Sequence, residues 1–153
     1  MNLNNKIEFL VGNKDASIFN ARSFQVFDEQ IIEFLAELSN KILTFSRKNK
    51  EYRVFSYFAL WSRRSNLLRL KGLRSDTNQR FGRGISFHIA PSNVVTNILF
   101  TMAFGLISGC PSLIRISKKN LNEIEGIIEI IKDLIKKDKF KLIAKYLSII
   151  TFD

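Results

Sequence analysis

The sequence has little cysteine, proline or glycine: 153 residues include 1 Cys, 2 Pro and 7 Gly. A lone cysteine, Cys110, cannot form an internal disulfide, which excludes a fold stapled by disulfides. The few prolines and glycines form no linker, and no repeat is found, so a single domain is expected. The opening residues Met1 to Asn5 lack the layout of a secretory leader, and a cytoplasmic location is therefore expected.

No apolar run reaches the length of a membrane span. The most apolar stretch, residues 94–107, contains Thr96, Asn97 and Thr101 and falls short of the roughly 20 apolar residues that a transmembrane helix needs. It is expected to form a buried helix instead. Hydrophobic residues make up 46% of the chain, and that content suffices for the core of one domain.

Acidic residues are scarce in the middle of the chain. Residues 47–83 hold 11 basic side chains and 2 acidic ones, out of a net charge of +10 for the whole sequence. Such a segment attracts the phosphates of a nucleotide, of coenzyme A or of a nucleic acid, or else is a solvated basic face. Its aromatic residues have spacings suited to a core and do not alternate with the basic residues, so nucleic-acid binding is the weaker interpretation.

Residues 1–80 are predicted to be mainly helical. Apolar side chains recur at helical spacing from Phe27 to Leu43, with Asp28 and Glu29 placed where a helix amino terminus favours negative charge. A second helix is predicted over roughly residues 52–70, with apolar residues on one side and arginines on the other.

Residues 81–153 are predicted to form a βαβαβ unit. Residues 84–90 alternate like a strand and stop at a proline, and a buried helix over 95–108 precedes Gly109, which is suited to a left-handed cap. A strand over 112–116, a helix with the capping-box pair Asn120 and Glu123, and a third strand near Ile149 complete the pattern. The fold class is thus α/β, with helices followed by a parallel, Rossmann-like sheet that binds nucleotides at the carboxyl ends of its strands. The fingerprint GxGxxG is absent.

The turn that follows the first of these strands carries a candidate catalytic group. An amide side chain at Asn93 would point into the ligand crevice and could stabilise an oxyanion without changing charge. Alternatively, Ser92 or Asn93 simply caps the following helix. Spacing alone leaves both interpretations open.

The segment around this turn resembles the acyl-CoA reductase family of bacterial bioluminescence (LuxC-type). The resemblance rests on GRGISFHIAPSNV at residues 82–94, AFGLISG at 103–109 and LIRISK at 113–118, with FLAELS at 34–39 and WSRRSNL at 61–67 upstream. That family is distantly similar to aldehyde dehydrogenases, whose proline-x-asparagine turn and lysine-proline-serine-glutamate strand end correspond to residues 91–93 and 115–118. The resemblance therefore implies an aldehyde-dehydrogenase-like fold.

The resemblance also implies a reaction. An enzyme cysteine would take the fatty acyl group from acyl-CoA or an acyl-protein thioester, and NADPH would deliver hydride to release a fatty aldehyde. Asn93 would be the oxyanion donor. Ala90, Pro91 and Ser92 would line the cofactor cleft. An acyl-protein synthetase and an acyl-transferase are the partners that it suggests, and a homo-oligomer stays open.

The cofactor preference follows from the second motif. Arg115 corresponds to the lysine that holds the adenine ribose, and Lys118 to the glutamate that accepts hydrogen bonds from the ribose hydroxyls in NAD-using relatives. An ammonium in place of that carboxylate attracts a 2′-phosphate, so NADPH/NADP is the expected cofactor, with Lys119 and Ser117 as helpers. The alternative is that these cations form a solvated strand end.

The chain departs from the family pattern in three ways, one of which is that Val94 follows Asn93 where the family has a proline. Cys110 stands where the family has an asparagine after the buried helix, so it is expected to be a small buried thiol in a turn and not the nucleophile. The family's nucleophile lies downstream of the matched residues, and the chain is therefore expected to be an incomplete domain, inactive alone, with an uncovered sheet edge.

His88 is expected to be structural, and no metal site is expected. A non-catalytic interaction module or pseudoenzyme remnant is the competing hypothesis.

Overall fold

A computed structural model describes residues 7–12, 16–74 and 78–152. The residues Met1 to Asn5 lie outside these ranges. The strands are β1 (Glu8–Val11), β2 (Ser86–Ile89), β3 (Ser112–Arg115) and β4 (Leu147–Thr151). The α-helices are α1 (Glu29–Lys48), α2 (Ser56–Trp61), α3 (Arg64–Gly72), α4 (Asn97–Ile107), α5 (Leu121–Ile135) and α6 (Ile143–Tyr146). Short 3-10 segments lie at Ala16–Asn20, Lys50–Phe55, Lys118–Asn120 and Asp138–Phe140.

Within the described residues, four strands form one mixed sheet in the order β1-β4-β3-β2. Strands β2, β3 and β4 are parallel and are joined through α4 and α5, which confirms the predicted βαβαβ unit. The expectation of a wholly parallel sheet in the chain is wrong, because β1 pairs antiparallel with β4. Its four residues are too few to show a strand period within a segment predicted to be helical, and its place is fixed by pairing with a distant strand.

Helix α1 begins at Glu29, directly after a capping aspartate. The carboxylate of Asp28 accepts a hydrogen bond from the backbone N–H of Gln30 at 2.8 Å and so caps the helix. The predicted helix over residues 27–43 is confirmed from Glu29 onward and continues to Lys48, whereas Phe27, with a φ of 56°, lies before it. The buried face of α1 includes Phe34, Leu35 and Leu38, which lie in the core.

The single helix predicted over residues 52–70 is wrong. The chain forms the 3-10 segment Lys50–Phe55 and then α2 and α3, with a break at Ser62 and Arg63. Arg63 is extended, with ψ of 143°, and ends the helical hydrogen bonding there. The side-chain amide of Asn66 donates to the carbonyl of Trp61 at 2.6 Å, which satisfies a carbonyl group that the end of α2 leaves free.

The helices α1, α4 and α5 share one layer, because α1 contacts both of the others. Helix α4 lies over β2 and β3 so closely that a Cβ added at Gly105 would be 2.3 Å from the Ser112 hydroxyl oxygen and 3.0 Å from Nε2 of His88. None of the described helices is long and apolar enough to cross a membrane.

The opposite face of edge strand β2 is apolar and exposed. Phe87 is 53% exposed and Ile89 is 69% exposed, whereas Ser86 and His88, which alternate with them, are half-buried on the helix side. This arrangement reverses the usual rule for a strand with one solvated face. The far side of β4 is paired with β1, so the uncovered edge expected from the resemblance is not found at this last strand, and β2 is the other edge of the described sheet.

Candidate functional site

The carboxyl ends of the three parallel strands meet at one edge of the sheet and are tied together by hydrogen bonds. The N–H of Ala90, just after β2, donates to the carbonyl of Arg115, the last residue of β3, at 2.9 Å. The N–H of Ile116 donates to the carbonyl of Ile150 at 2.9 Å, and the Thr151 hydroxyl donates to the carbonyl of Ile116 at 3.0 Å. The two segments that the sequence marked as candidate sites, residues 90–93 and 115–118, therefore lie side by side.

The turn after β2 begins buried and then emerges into solvent. Ala90 is 4% exposed, and Pro91, Ser92 and Asn93 are all exposed. Helix α4 begins at Asn97 with Thr96 in the cap position, so neither Ser92 nor Asn93 is its cap residue. Asn93 lies on an exposed turn at the carboxyl edge, where its amide faces solvent.

The end of β3 presents a cationic and hydroxyl-bearing segment. The Ser117 hydroxyl accepts a hydrogen bond from the N–H of Lys119 at 3.3 Å and caps the 3-10 segment Lys118–Asn120. Lys118 and Lys119 are both exposed. Three of the predicted features of this strand end, a hydroxyl and two ammonium groups, are therefore presented together.

Arg115 is less accessible than the lysines that follow it. Its guanidinium donates to the carbonyl of Phe152 at 3.4 Å and lies over the ring of the same residue, with Cζ 5.1 Å from the ring centroid. Its Nε is buried without a hydrogen-bond partner. Arg115 therefore lies at the predicted edge, but its charge is directed towards the end of β4.

Asn120 lies at this site, although the sequence predicts a different role for it. The predicted capping box with Glu123 is wrong, because Asn120 makes no side-chain cap bond at the start of α5. Its amide Nδ2 instead donates to the carbonyl of Ser92 at 3.1 Å, across the two segments. The spacing of Asn120 and Glu123 fits a capping box, and nothing in the local sequence signals a contact 28 residues away.

Cys110 and His88 are not part of the exposed turn. Cys110 stands in the turn that precedes β3, at the amino end of a strand whose carboxyl end bears Arg115. Its thiol is half-buried, and not fully buried as predicted. Nε2 of His88 lies 2.6 Å from the Ser86 hydroxyl, and burial lowers the pKa of His88 below its ordinary value, which fits the predicted structural histidine.

The concave surfaces near this edge are small. A cleft of about 250 Å³ adjoins the turn through Val95. It is also lined by Glu51, Glu123, Tyr52, Val54 and Asn122. Its two glutamates disfavour a phosphate group, so the exposed strand ends are the better place for an anionic ligand. Across the described ranges, no cluster of three or more His, Cys, Asp or Glu side chains could hold a metal ion.

These features define an α/β protein in which two loops meet at the carboxyl edge of parallel strands, the usual place for a ligand in such sheets. A family model described as acyl-CoA reductase (LuxC) matches residues 22–153, and the chain belongs to that family. Neither the curated proteins nor the solved structures compared with the chain gave a match.

Family membership confirms the resemblance found in the sequence and extends it to residues 119–153. It associates the chain with fatty acyl reduction, with NADPH as the family's reductant and with bioluminescence. The family acts on acyl substrates within a fatty acid reductase complex.

Proposed function

We propose that this chain supplies the cofactor-binding part of an NADPH-dependent reductase that converts a long-chain fatty acyl thioester to a fatty aldehyde, on an aldehyde-dehydrogenase-like plan. The observation that carries the proposal is the hydrogen bond from the Ala90 N–H to the Arg115 carbonyl. It brings the turn that bears Asn93 and the strand end that bears Lys118 to one edge of the sheet, where such folds bind nucleotides.

The residues at this edge fit a phosphorylated dinucleotide. Ser117, Lys118 and Lys119 offer a hydroxyl and two ammonium groups to a 2′-phosphate, and the absence of a carboxylate in residues 115–120 spares it repulsion. Ala90, Pro91 and Ser92 would line the cleft beside it. When bound, NADPH supplies the hydride.

Arg115 has a conditional part in this proposal. To hold the adenine ribose, its guanidinium has to leave the Phe152 carbonyl and ring. The 3.4 Å hydrogen bond is long, so exchange for a ligand oxygen costs little. Nε of Arg115 has no hydrogen-bond partner, and such a rearrangement would give it one.

Asn93 would serve the chemical step. Its exposed side-chain amide would donate a hydrogen bond to the oxygen of the acyl group as negative charge develops there. The chain's own thiol cannot take the acyl group at this edge. Cys110 precedes β3, whose four residues at about 3.3 Å each separate the two ends by roughly 10 Å, so the chain is expected to be inactive alone.

The test is calorimetric titration of the 153-residue chain with NADPH, NADP⁺, NADH and NAD⁺, repeated with Lys118→Glu. The phosphorylated cofactors should bind at least about tenfold more tightly than their counterparts, and Lys118→Glu should abolish that preference. Lys145→Glu is the matched control, because it makes the same charge change on an exposed lysine of α6, which precedes β4 at the other end of the sheet. Equal binding of all four cofactors, or none by folded protein, contradicts the proposal.

One observation favours a second candidate, a non-catalytic interaction module. The edge strand β2 exposes Phe87 and Ile89 side by side on the face away from the helices. Exposed apolar surface of this kind is typical of a contact site. A folded chain that binds no cofactor but loses self-association or partner binding on Phe87→Ser would support this role.

A further inference from the structure

Asn120 is buried between the two loops of the candidate site. It is 2% exposed and ends the 3-10 segment Lys118–Asn120 that follows β3. Its Nδ2 donates to the carbonyl of Ser92 at 3.1 Å, which joins the β3–α5 connection to the turn after β2. A buried asparagine at this junction therefore contacts the backbone of the turn directly.

The contact holds a part of the turn that is otherwise exposed. The turn is fixed at its start by the Ala90 N–H, which donates to the Arg115 carbonyl at 2.9 Å, and Val95 is buried beyond it. Pro91, Ser92 and Asn93 project into solvent between these two anchors. The Asn120 amide is a third anchor, and it acts on the residue directly before Asn93.

Burying the carbonyl oxygen of the Asn120 side chain is unfavourable to the stability of the fold. Oδ1 is buried without a hydrogen-bond partner, and an unpaired buried acceptor is unfavourable. The side chain also does not cap α5, where an asparagine would commonly be useful. Its bond to Ser92 is thus the interaction that accounts for a buried amide here.

We propose that Asn120 is a positioning residue, which fixes the Ser92 carbonyl and through it the placement of Asn93 and of the cofactor-lining turn. The effect on the turn is independent of what the protein binds. The effect on cofactor affinity rests on the proposed function.

The experiment compares the full chain with Asn120→Leu, which keeps the number and branching of the side-chain heavy atoms and lacks the amide. Asn122→Leu is the matched control, because Asn122 is exposed two residues further along in the first turn of α5. We measure the melting temperature, the affinities for NADP⁺ and for adenosine 2′-monophosphate, and the hydrogen exchange of two amides that flank the turn. These are Ala90, which donates to the Arg115 carbonyl, and Asn97, which donates to the Val94 carbonyl. Adenosine 2′-monophosphate probes the Lys118 end without the rest of the dinucleotide.

For Asn120→Leu we expect exchange of the Ala90 and Asn97 amides to become about tenfold faster and NADP⁺ to bind about tenfold more weakly. Binding of adenosine 2′-monophosphate should change less than about twofold, because Ser117 and Lys118 are retained. Asn122→Leu should leave all these quantities unchanged. If Asn120→Leu does not fold, Asn120→Ala with Asn122→Ala as its control should give the same pattern, because it removes the amide without adding charge.

Two results would overturn the inference. One is wild-type exchange and wild-type NADP⁺ affinity in the Asn120 variant. The other is an equal loss of both ligands with faster exchange throughout the chain, which is the pattern of a merely structural residue. If the wild type binds neither ligand, the proposed function fails, and the exchange of the Ala90 and Asn97 amides still decides whether Asn120 fixes the turn.

Discussion

The Ser86 hydroxyl oxygen lies 2.6 Å from Nε2 of His88, on the face of β2 that Gly105 of α4 covers. The edge strand thus keeps its polar side chains under the helix layer and leaves its apolar ones outside. Burial favours the neutral form of His88, and the close packing of the helix above it requires that position 105 has no side chain. Both dependences can be measured.

The first prediction concerns the pH dependence of stability. Burial lowers the pKa of His88 in the folded state below its ordinary value of 6.5. The unfolded chain therefore binds a proton more readily than the folded chain, so this contribution to stability is full above about pH 6.5 and is lost as pH falls from there through the folded pKa. Chemical denaturation between pH 7.5 and 5.5, values chosen roughly to bracket that range, should show a loss that His88→Gln reduces.

His88 is the only histidine in the chain, so the comparison needs no correction for a second one. A pH profile that is the same in wild type and His88→Gln would show that the residue is not the source of the loss.

The second prediction concerns the close approach of α4 to the sheet. A Cβ at Gly105 would lie 2.3 Å from Oγ of Ser112, a fully buried residue whose hydroxyl donates to the Cys110 carbonyl at 3.1 Å. Moving that hydroxyl breaks its hydrogen bond, so Gly105→Ala should lower the free energy of unfolding by about 1–3 kcal/mol despite the better helix propensity of alanine. Urea denaturation measures the change.

Gly72 is the control for Gly105, since a Cβ there meets nothing within 4 Å. Gly72→Ala should be neutral or stabilising by about 0.5 kcal/mol. Equal effects of the two substitutions would contradict the close packing of α4.

The third prediction concerns an ion-pair cluster between α1 and the segment before α6. Glu37 contacts Lys137 and Lys139, with 2.8 Å between its Oε2 and Nζ of Lys139, and hydrogen bonds from Lys137 and then Lys139 hold the pKa of Glu37 below its ordinary value of 4.5. Glu37→Gln should lower the free energy of unfolding at pH 7 by roughly 0.5–1 kcal/mol, because the pairs are partly exposed.

The sign of the pKa shift fixes the pH range of this effect. The Glu37 contribution is full above about pH 4.5 and is lost as pH falls through the lower folded value. Glu33→Gln should lower the free energy of unfolding by less. Glu33 pairs with Lys139 and its side chain is 50% exposed, whereas Glu37 pairs with two lysines and is 22% exposed. A Glu37→Gln difference that persists unchanged at pH 3, roughly one unit or more below 4.5, would show that charge is not its cause.

The sequence predicts the part of the fold in which local pattern and tertiary structure agree. The βαβαβ unit follows from alternation, the proline stop at Pro91 and the glycine at position 109, whose φ of 78° confirms the predicted left-handed cap. Strand β1 could not be predicted, since pairing with β4 and not local pattern defines it. The break between α2 and α3 was also missed, because the apolar spacing continues across Ser62.

The candidate site also has features that the sequence predicts and features that it does not. Motif resemblance indicated residues 90–93 and 115–118, and the ends of parallel strands bring them together. The direction of the Arg115 side chain and the role of Asn120 could not be predicted, because each depends on a contact with a distant residue, Phe152 in one case and Ser92 in the other. Asn120 shows the limit most clearly, since its sequence context fits a cap that the folded chain does not use.

The most direct test of a cofactor-binding edge is NMR titration of the isotopically labelled chain with NADP⁺, following backbone amides. The account predicts the largest shifts at Ala90, Ser92, Asn93, Ser117 and Lys118, with little change at the exposed basic residues of 47–83. Shifts concentrated in residues 47–83 would assign the anion attraction to the basic face, and no shifts in folded protein would contradict a cofactor site in this chain.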